Sequence, residues 1–127
     1  MSKTAGWTAV TALAAALLLA PTAVAKDGDV RVAGTCSASS TSKLKLSRED
    51  RGVEVEFEVD QNRNGVAWRV VLVQNGRQVA HRVRVTRAPS GSFEARFVRG
   101  GRTGADRFVA RARSRTGELC MARASIS

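Results

Sequence analysis

Apolar and polar residues alternate one for one along most of this chain. Val53, Val55, Phe57 and Val59 are interleaved with Glu54, Glu56 and Glu58. Successive side chains of a strand point to opposite faces, so this pattern sets the valines and Phe57 against a core and the glutamates in water. No segment after residue 26 carries a helical period. Asn75-Gly76 stands between two β-rich runs, 66–74 and 77–86, and reads as a two-residue hairpin turn. That turn pairs Gln74 with Arg77, and therefore Leu72 with Val79, Val70 with His81, Trp68 with Val83 and Val66 with Val85, all on the inner face. The outer face then receives Arg69, Val71 and Val73 beside Gln78, Ala80, Arg82 and Arg84.

The rest of the chain continues the pattern. Pro89-Ser90-Gly91 is a turn. Phe93, Ala95 and Phe97 point inward from the next strand, and 100–104 is a loop. Phe108, Ala110 and Ala112 point inward, leaving Val109, Arg111 and Arg113 outside. Thr116-Gly117 turns the chain into Cys120, Ala122, Ala124 and Ile126. Upstream, Val30, Val32 and Cys36 share one parity and Leu44 and Leu46 form a short run. The Ser/Thr stretch 37–42 between them is a loop or a strand switch. The expected fold is all-β, a small antiparallel β-sandwich of about seven or eight strands.

Residues 1–25 read as a secretory signal peptide. Lys3 gives a short basic start, residues 10–20 are apolar, Pro21 breaks the run, and Ala23-Val24-Ala25 offers small residues for cleavage before Lys26. An apolar run of 11 residues falls short of the about 18–20 that a permanent span needs, so no transmembrane anchor is expected after cleavage. The alternative, an N-terminal core helix, seldom carries this three-part layout. The expected address is secreted and extracellular. Residues 26–127 then form a single domain of 102 residues.

Export would place Cys36 and Cys120 in an oxidising compartment. Two cysteines with no third favour one disulfide, which requires the first and last strands to be neighbours. Two free buried thiols are the alternative. No C-x-x-C motif and no nearby histidine support zinc or redox chemistry.

Three segments resemble immunoglobulin-like and fibronectin type III-like domains. They are Trp68-Arg69-Val70-Val71-Leu72, the run 93–98, and Gly104-Ala105-Asp106-Arg107-Phe108-Val109-Ala110-Arg111-Ala112, which is similar to the penultimate strand of such domains. Phe108 stands at what resembles the tyrosine-corner position, without the hydroxyl. The chain from 26 onward also resembles a group of small secreted proteins of high-GC Gram-positive (actinobacterial) bacteria. That likeness lies in Gly34-Thr35-Cys36-Ser37, in 53–68 and in Gly117-Glu118-Leu119-Cys120. The resemblance implies an immunoglobulin-like fold and an exported address, and no particular function.

Charge is divided unevenly. Residues 26–60 hold six basic and eight acidic side chains, a net of −2; residues 61–127 hold 14 arginines and three carboxylates, a net of +11. A type III strand order would put the hairpin 66–86 and the strands from 106 onward in one sheet. Its outer face would gather Arg69, Arg82, Arg84, Arg107, Arg111, Arg113 and Arg123, with Val71, Val73, Val109, Leu119 and Met121 between them. The other sheet would show Glu54, Glu56 and Glu58. Arg69 would face Arg82 across the hairpin, and like charges so placed are destabilising. Crowded guanidinium groups match phosphate and carboxylate geometry, which suggests an anionic partner. The plainer alternative is a solvated charged face, with arginine favoured by a GC-rich genome. Phe57, Trp68, Phe93, Phe97 and Phe108 all fall on core parities, so base stacking is not expected; nonspecific polyanion attraction is.

Other motifs carry less. Asp60-Gln61-Asn62-Arg63-Asn64-Gly65 matches half of a calcium loop. The bidentate glutamate position falls on Val71 and Arg63 adds repulsion, so a turn is expected and no metal. His81 is expected inside, opposite Val70, with no serine or aspartate partner for a triad. Glu54 and Glu56 lie on a solvent face rather than in a cleft. Arg99-Gly100-Gly101-Arg102 is a single RGG-like fragment in a loop. The chain is therefore expected to be a secreted, non-catalytic binding module without a cofactor. Its anion-binding face would comprise Arg69, Arg82, Arg84, Arg111, Arg113 and Arg123. Partners would be anionic wall polymers, nucleic acid without sequence preference, acidic polysaccharide or an acidic protein. The alternative is a small-ligand carrier or inhibitor working through loops 87–92 and 99–105.

Overall fold

The computed structural model describes Gly6, residues 28–50 and residues 52–127. The expected signal peptide, Gly6 apart, and the expected cleavage junction lie outside the described residues. The alternating segments form nine strands: β1 (Val30–Ala33), β2 (Thr35–Cys36), β3 (Thr41–Glu49), β4 (Gly52–Asp60), β5 (Ala67–Gln74), β6 (Arg77–Val85), β7 (Ser92–Arg99), β8 (Asp106–Ser114) and β9 (Leu119–Ile126). They make two antiparallel sheets, ordered β1-β3-β4-β7 and β2-β9-β8-β5-β6. Strands β3-β4-β7 against β9-β8-β5-β6 reproduce the type III order, and β1 and β2 extend one edge of each sheet. The domain is an immunoglobulin-like β-sandwich.

The core forms where the two apolar parities meet. Leu44, Leu46, Val53, Val55, Phe57 and Val59 of one sheet, and Trp68, Val70, Leu72, Phe108, Ala110, Ala112 and Cys120 of the other, are all buried. Each large side chain so placed stabilises by about 1.5–3 kcal/mol. Trp68 lies 5.8 Å from Phe93, ring centre to ring centre, and donates its indole N–H to Gln61 at 3.1 Å, so its polar edge is satisfied.

The N-terminal segment serves both sheets. β1 pairs with β3, and at Gly34 the chain crosses so that β2 can pair with β9. An added Cβ at Gly34 would lie 2.2 Å from Ser42 Oγ and 2.6 Å from the Met121 carbonyl, so only glycine fits this crossing. Residues 37–40 then return the chain to the first sheet. Cys36 sits opposite Cys120, and the two are disulfide-bonded across a sequence separation of 84.

The hairpin departs from the expected register. Asn75 and Gly76 both have positive φ, 51° and 82°, as a two-residue turn requires. Gln74 pairs with Arg77 and Val73 with Gln78, but Leu72 then pairs with Ala80. Val79 is the extra residue of a β-bulge, and every later residue of β6 changes face. Val70 lies opposite Arg82, Trp68 opposite Arg84, Arg69 opposite Val83 and Ala67 opposite Val85. Val66 instead exchanges hydrogen bonds with the buried Thr86.

Candidate anion-binding face

The outer face of the five-stranded sheet is built from the odd-numbered residues of β5, β8 and β9. Their even-numbered neighbours Trp68, Val70, Leu72, Phe108, Ala110, Ala112, Cys120 and Ala122 are held in the core, which turns Arg69, Arg107, Arg111, Arg113 and Arg123 outward. Register sets their neighbours. Arg113 lies between Arg69 on β5 and Leu119 on β9; Arg111 lies between Val71 and Met121; Val109 lies between Val73 and Arg123. Arg115 continues the outward parity, since its backbone N–H still bonds to Ala67. Sequence reading missed Arg115, although the signal was present: Arg107, Arg111, Arg113 and Arg115 share one odd-numbered row interrupted by Val109 alone.

Two of the expected face residues are elsewhere. The bulge at Val79 sends Arg82 and Arg84 to the opposite side of β6 from Arg69, and Arg69 faces Arg113 and Val83 rather than Arg82. The Arg82 guanidinium lies 4.8 Å over the ring of Phe97, and Arg84 donates to the Glu94 carbonyl at 3.3 Å. Both arginines therefore span the gap between edge strands β6 and β7. Their partners in the other sheet draw them inward, a force that alternation along β6 alone does not record. His81 moves the other way. It is exposed on the outer face opposite Val71, not packed inside opposite Val70.

The two outer faces differ in how charge is compensated. On the four-stranded sheet, Lys43 meets Glu58 at 3.3 Å, Lys45 meets Glu56 at 3.6 Å, and Arg96 is bonded to Glu54. The Arg96 hydrogen bond holds Glu54 below the usual carboxylate range, whereas Glu54 beside it, together with burial, pushes Glu56 up. These cross-strand pairs bind the carboxylates into a neutralised surface. On the five-stranded sheet, among the described residues, the outer face holds no carboxylate, and Arg69, Arg107, Arg111, Arg113 and Arg123 form no ion pair.

One carboxylate is wholly buried. Asp106 opens β8 on the core parity and accepts from Asn75 at 3.0 Å, from the Arg102 backbone at 3.1 Å and from Gln74 at 3.4 Å, with Arg48 at 3.5 Å. Burial alone would raise its pKa. The Asn75, Arg102 and Gln74 hydrogen bonds and the Arg48 charge outweigh that and hold it below the ordinary value. The loop 100–105 is thereby fastened to the end of the sandwich. Loop 87–92 lies at the other end, because the eight residues of β7 separate the two by about 25 Å. They do not converge on one site.

The segment 60–65 turns the chain from β4 toward β5. Asp60 accepts from the Asn62 backbone at 3.0 Å in the expected turn between β4 and β5. Among the described residues no three carboxylate, cysteine or histidine side chains cluster as metal ligands, and no helix is long and apolar enough to cross a membrane. Compared with protein families, curated proteins and solved structures, the chain finds no match.

Proposed function

We propose that this protein is an exported, non-catalytic binding module that holds anionic polymers against the outer face of its five-stranded sheet. The observation that carries this reading is the pairing of Arg69 with Arg113 on a face that, among the described residues, holds no carboxylate, in a domain whose other face matches nearly every cation to an acid. Two guanidinium groups directly opposite each other repel and weaken the sheet. An anion that accepts from both would turn that repulsion into attraction. Oxidised Cys36–Cys120 agrees with an extracellular address, as the signal-like residues 1–25 suggest.

The test is retention on immobilised heparin and on duplex DNA across a salt series. Wild type should bind at low salt and elute steeply. Changing Arg69, Arg111, Arg113 and Arg123 together to Gln should lower the eluting salt far more than changing Arg82, Arg84, Arg87 and Arg99, which removes the same charge from elsewhere. Equal elution of the two variants would mean that attraction follows net charge and that the face has no special role.

A further inference from the structure

The strand register arranges these arginines as a line. Along β8, outward positions fall at 107, 109, 111 and 113, two residues and therefore about 6.7 Å apart, and Arg115, exposed in the turn that follows the strand, makes a fifth position. Four of the five are arginine. The fifth, Val109, has Arg123 as its cross-strand partner on β9, and Arg113 has Arg69 beside it on β5. Every outward step along β8 from 107 to 113 thus carries a guanidinium, either on the strand or next to it, over about 20 Å, and Arg115 in the following turn adds one more at its end. The apolar side chains Val71, Val73, Met121 and Leu119 flank the line.

Building on the proposed function, we infer that the ligand is an extended phosphodiester chain lying along β8, read through five consecutive phosphates and not through whatever the phosphates link. A compact anion would use one or two rungs and leave the remainder unexplained. A single extended backbone with one charge per repeat can meet a rung at each repeat. The described aromatic side chains are buried or directed at the core, so none of them is placed on this face to stack on a base. A single-stranded nucleic acid and a polyol-phosphate polymer offer the same backbone chemistry and should bind alike.

The experiment uses the disulfide-bonded protein and two oligomer series, oligothymidylate and its abasic counterpart, each with two to ten phosphates. Affinity is measured across a salt series. Each phosphate contacted on a single strand contributes about −0.7 to the log–log salt slope, so the slope should steepen to about −3.5 at five phosphates and then stay constant. The two series should agree within about twofold. Arg123→Gln should flatten the limiting slope by about 0.7, and Arg87→Gln should leave it unchanged. A slope that steepens steadily to ten phosphates, an abasic series at least tenfold weaker, or equal slopes for Arg123→Gln and Arg87→Gln would overturn the inference. In those cases arginine-dependent heparin retention would leave the proposed function standing. If neither oligomers nor heparin nor duplex DNA bind at low salt, the proposed function falls as well.

Discussion

Asn75 clamps the first turn of the hairpin to the start of β8 through Asp106. Its side-chain amide donates to the Asp106 carboxylate at 3.0 Å, and its side-chain carbonyl accepts from the Arg107 backbone at 2.9 Å. Asparagine suits the site twice over, because it tolerates the positive φ of the turn and presents both a donor and an acceptor. Arg48 and the Arg102 backbone bring the end of β3 and the loop before β8 to the same carboxylate. Three segments distant in sequence, the end of β3, the hairpin turn and the stretch 102–107, are thereby tied at the residue preceding Arg107, the first rung of the arginine line.

Asp106→Ala should destabilise the fold by about 3 kcal/mol at pH 7, because it leaves buried donors unsatisfied. Urea unfolding measures this. The folded pKa lies below the unfolded value of about 3.9, so the contribution is complete above that value and is lost as pH falls through the folded pKa. The gap between wild type and variant should hold from pH 7 to about 4 and narrow below that. A gap unchanged down to pH 2 would show that ionisation of Asp106 is not its source.

Gly34→Ala should cost about 1–3 kcal/mol, the range for forcing an extra methyl into a packed site. Ser42 could rotate its hydroxyl aside, but the Met121 carbonyl belongs to the β9 backbone and cannot yield without disturbing β2 pairing. Gly100→Ala has open space around its added Cβ and is the control. Thermal unfolding of both variants decides it.

Reducing Cys36–Cys120 should lower the melting temperature without abolishing the sandwich, since the buried cluster persists around it. Freeing a loop of this length returns about 4–5 kcal/mol of chain entropy to the unfolded state. Cys36→Ser with Cys120→Ser should match the reduced protein. Full thiol labelling of unreduced, denatured wild type would contradict the bond.

Alternation made the architecture legible because most strands here are covered on one side only. β4 is the clearest case: its valines and Phe57 are fully buried and its glutamates are partly open. The same rule failed in β6, where Val79, Val83 and Val85 suggest an inner face. That strand is an edge, and its inward side opens onto β7 rather than onto a full opposing sheet. With little to bury there, Val83 is 59% exposed on the outer face, while Arg82 and Arg84 reach across the gap. A one-residue bulge then reverses every assignment beyond it, and nothing local in the sequence announces it. Asp106 was readable in part. It shares the parity of Phe108, Ala110 and Ala112, which marks a carboxylate bound for the interior, but its partners come from positions 48, 74, 75 and 102.

The arginines of the two sheet sides should respond to substitution with opposite signs. Arg113→Gln removes a like-charge contact with Arg69, so the free protein should gain about 0.2–1 kcal/mol of stability while polyanion binding weakens and its salt slope flattens. Arg82→Gln removes the cation over Phe97, so the protein should lose about 0.5–1 kcal/mol while its salt slope stays close to that of wild type. Each variant loses one positive charge, which cancels the effect of net charge between them. Melting temperature and heparin elution, measured on the same two samples, separate the roles. A destabilised Arg113→Gln with unchanged elution would mean that the Arg69–Arg113 juxtaposition serves packing alone. The stability that the sheet forgoes there would then have no ligand to explain it.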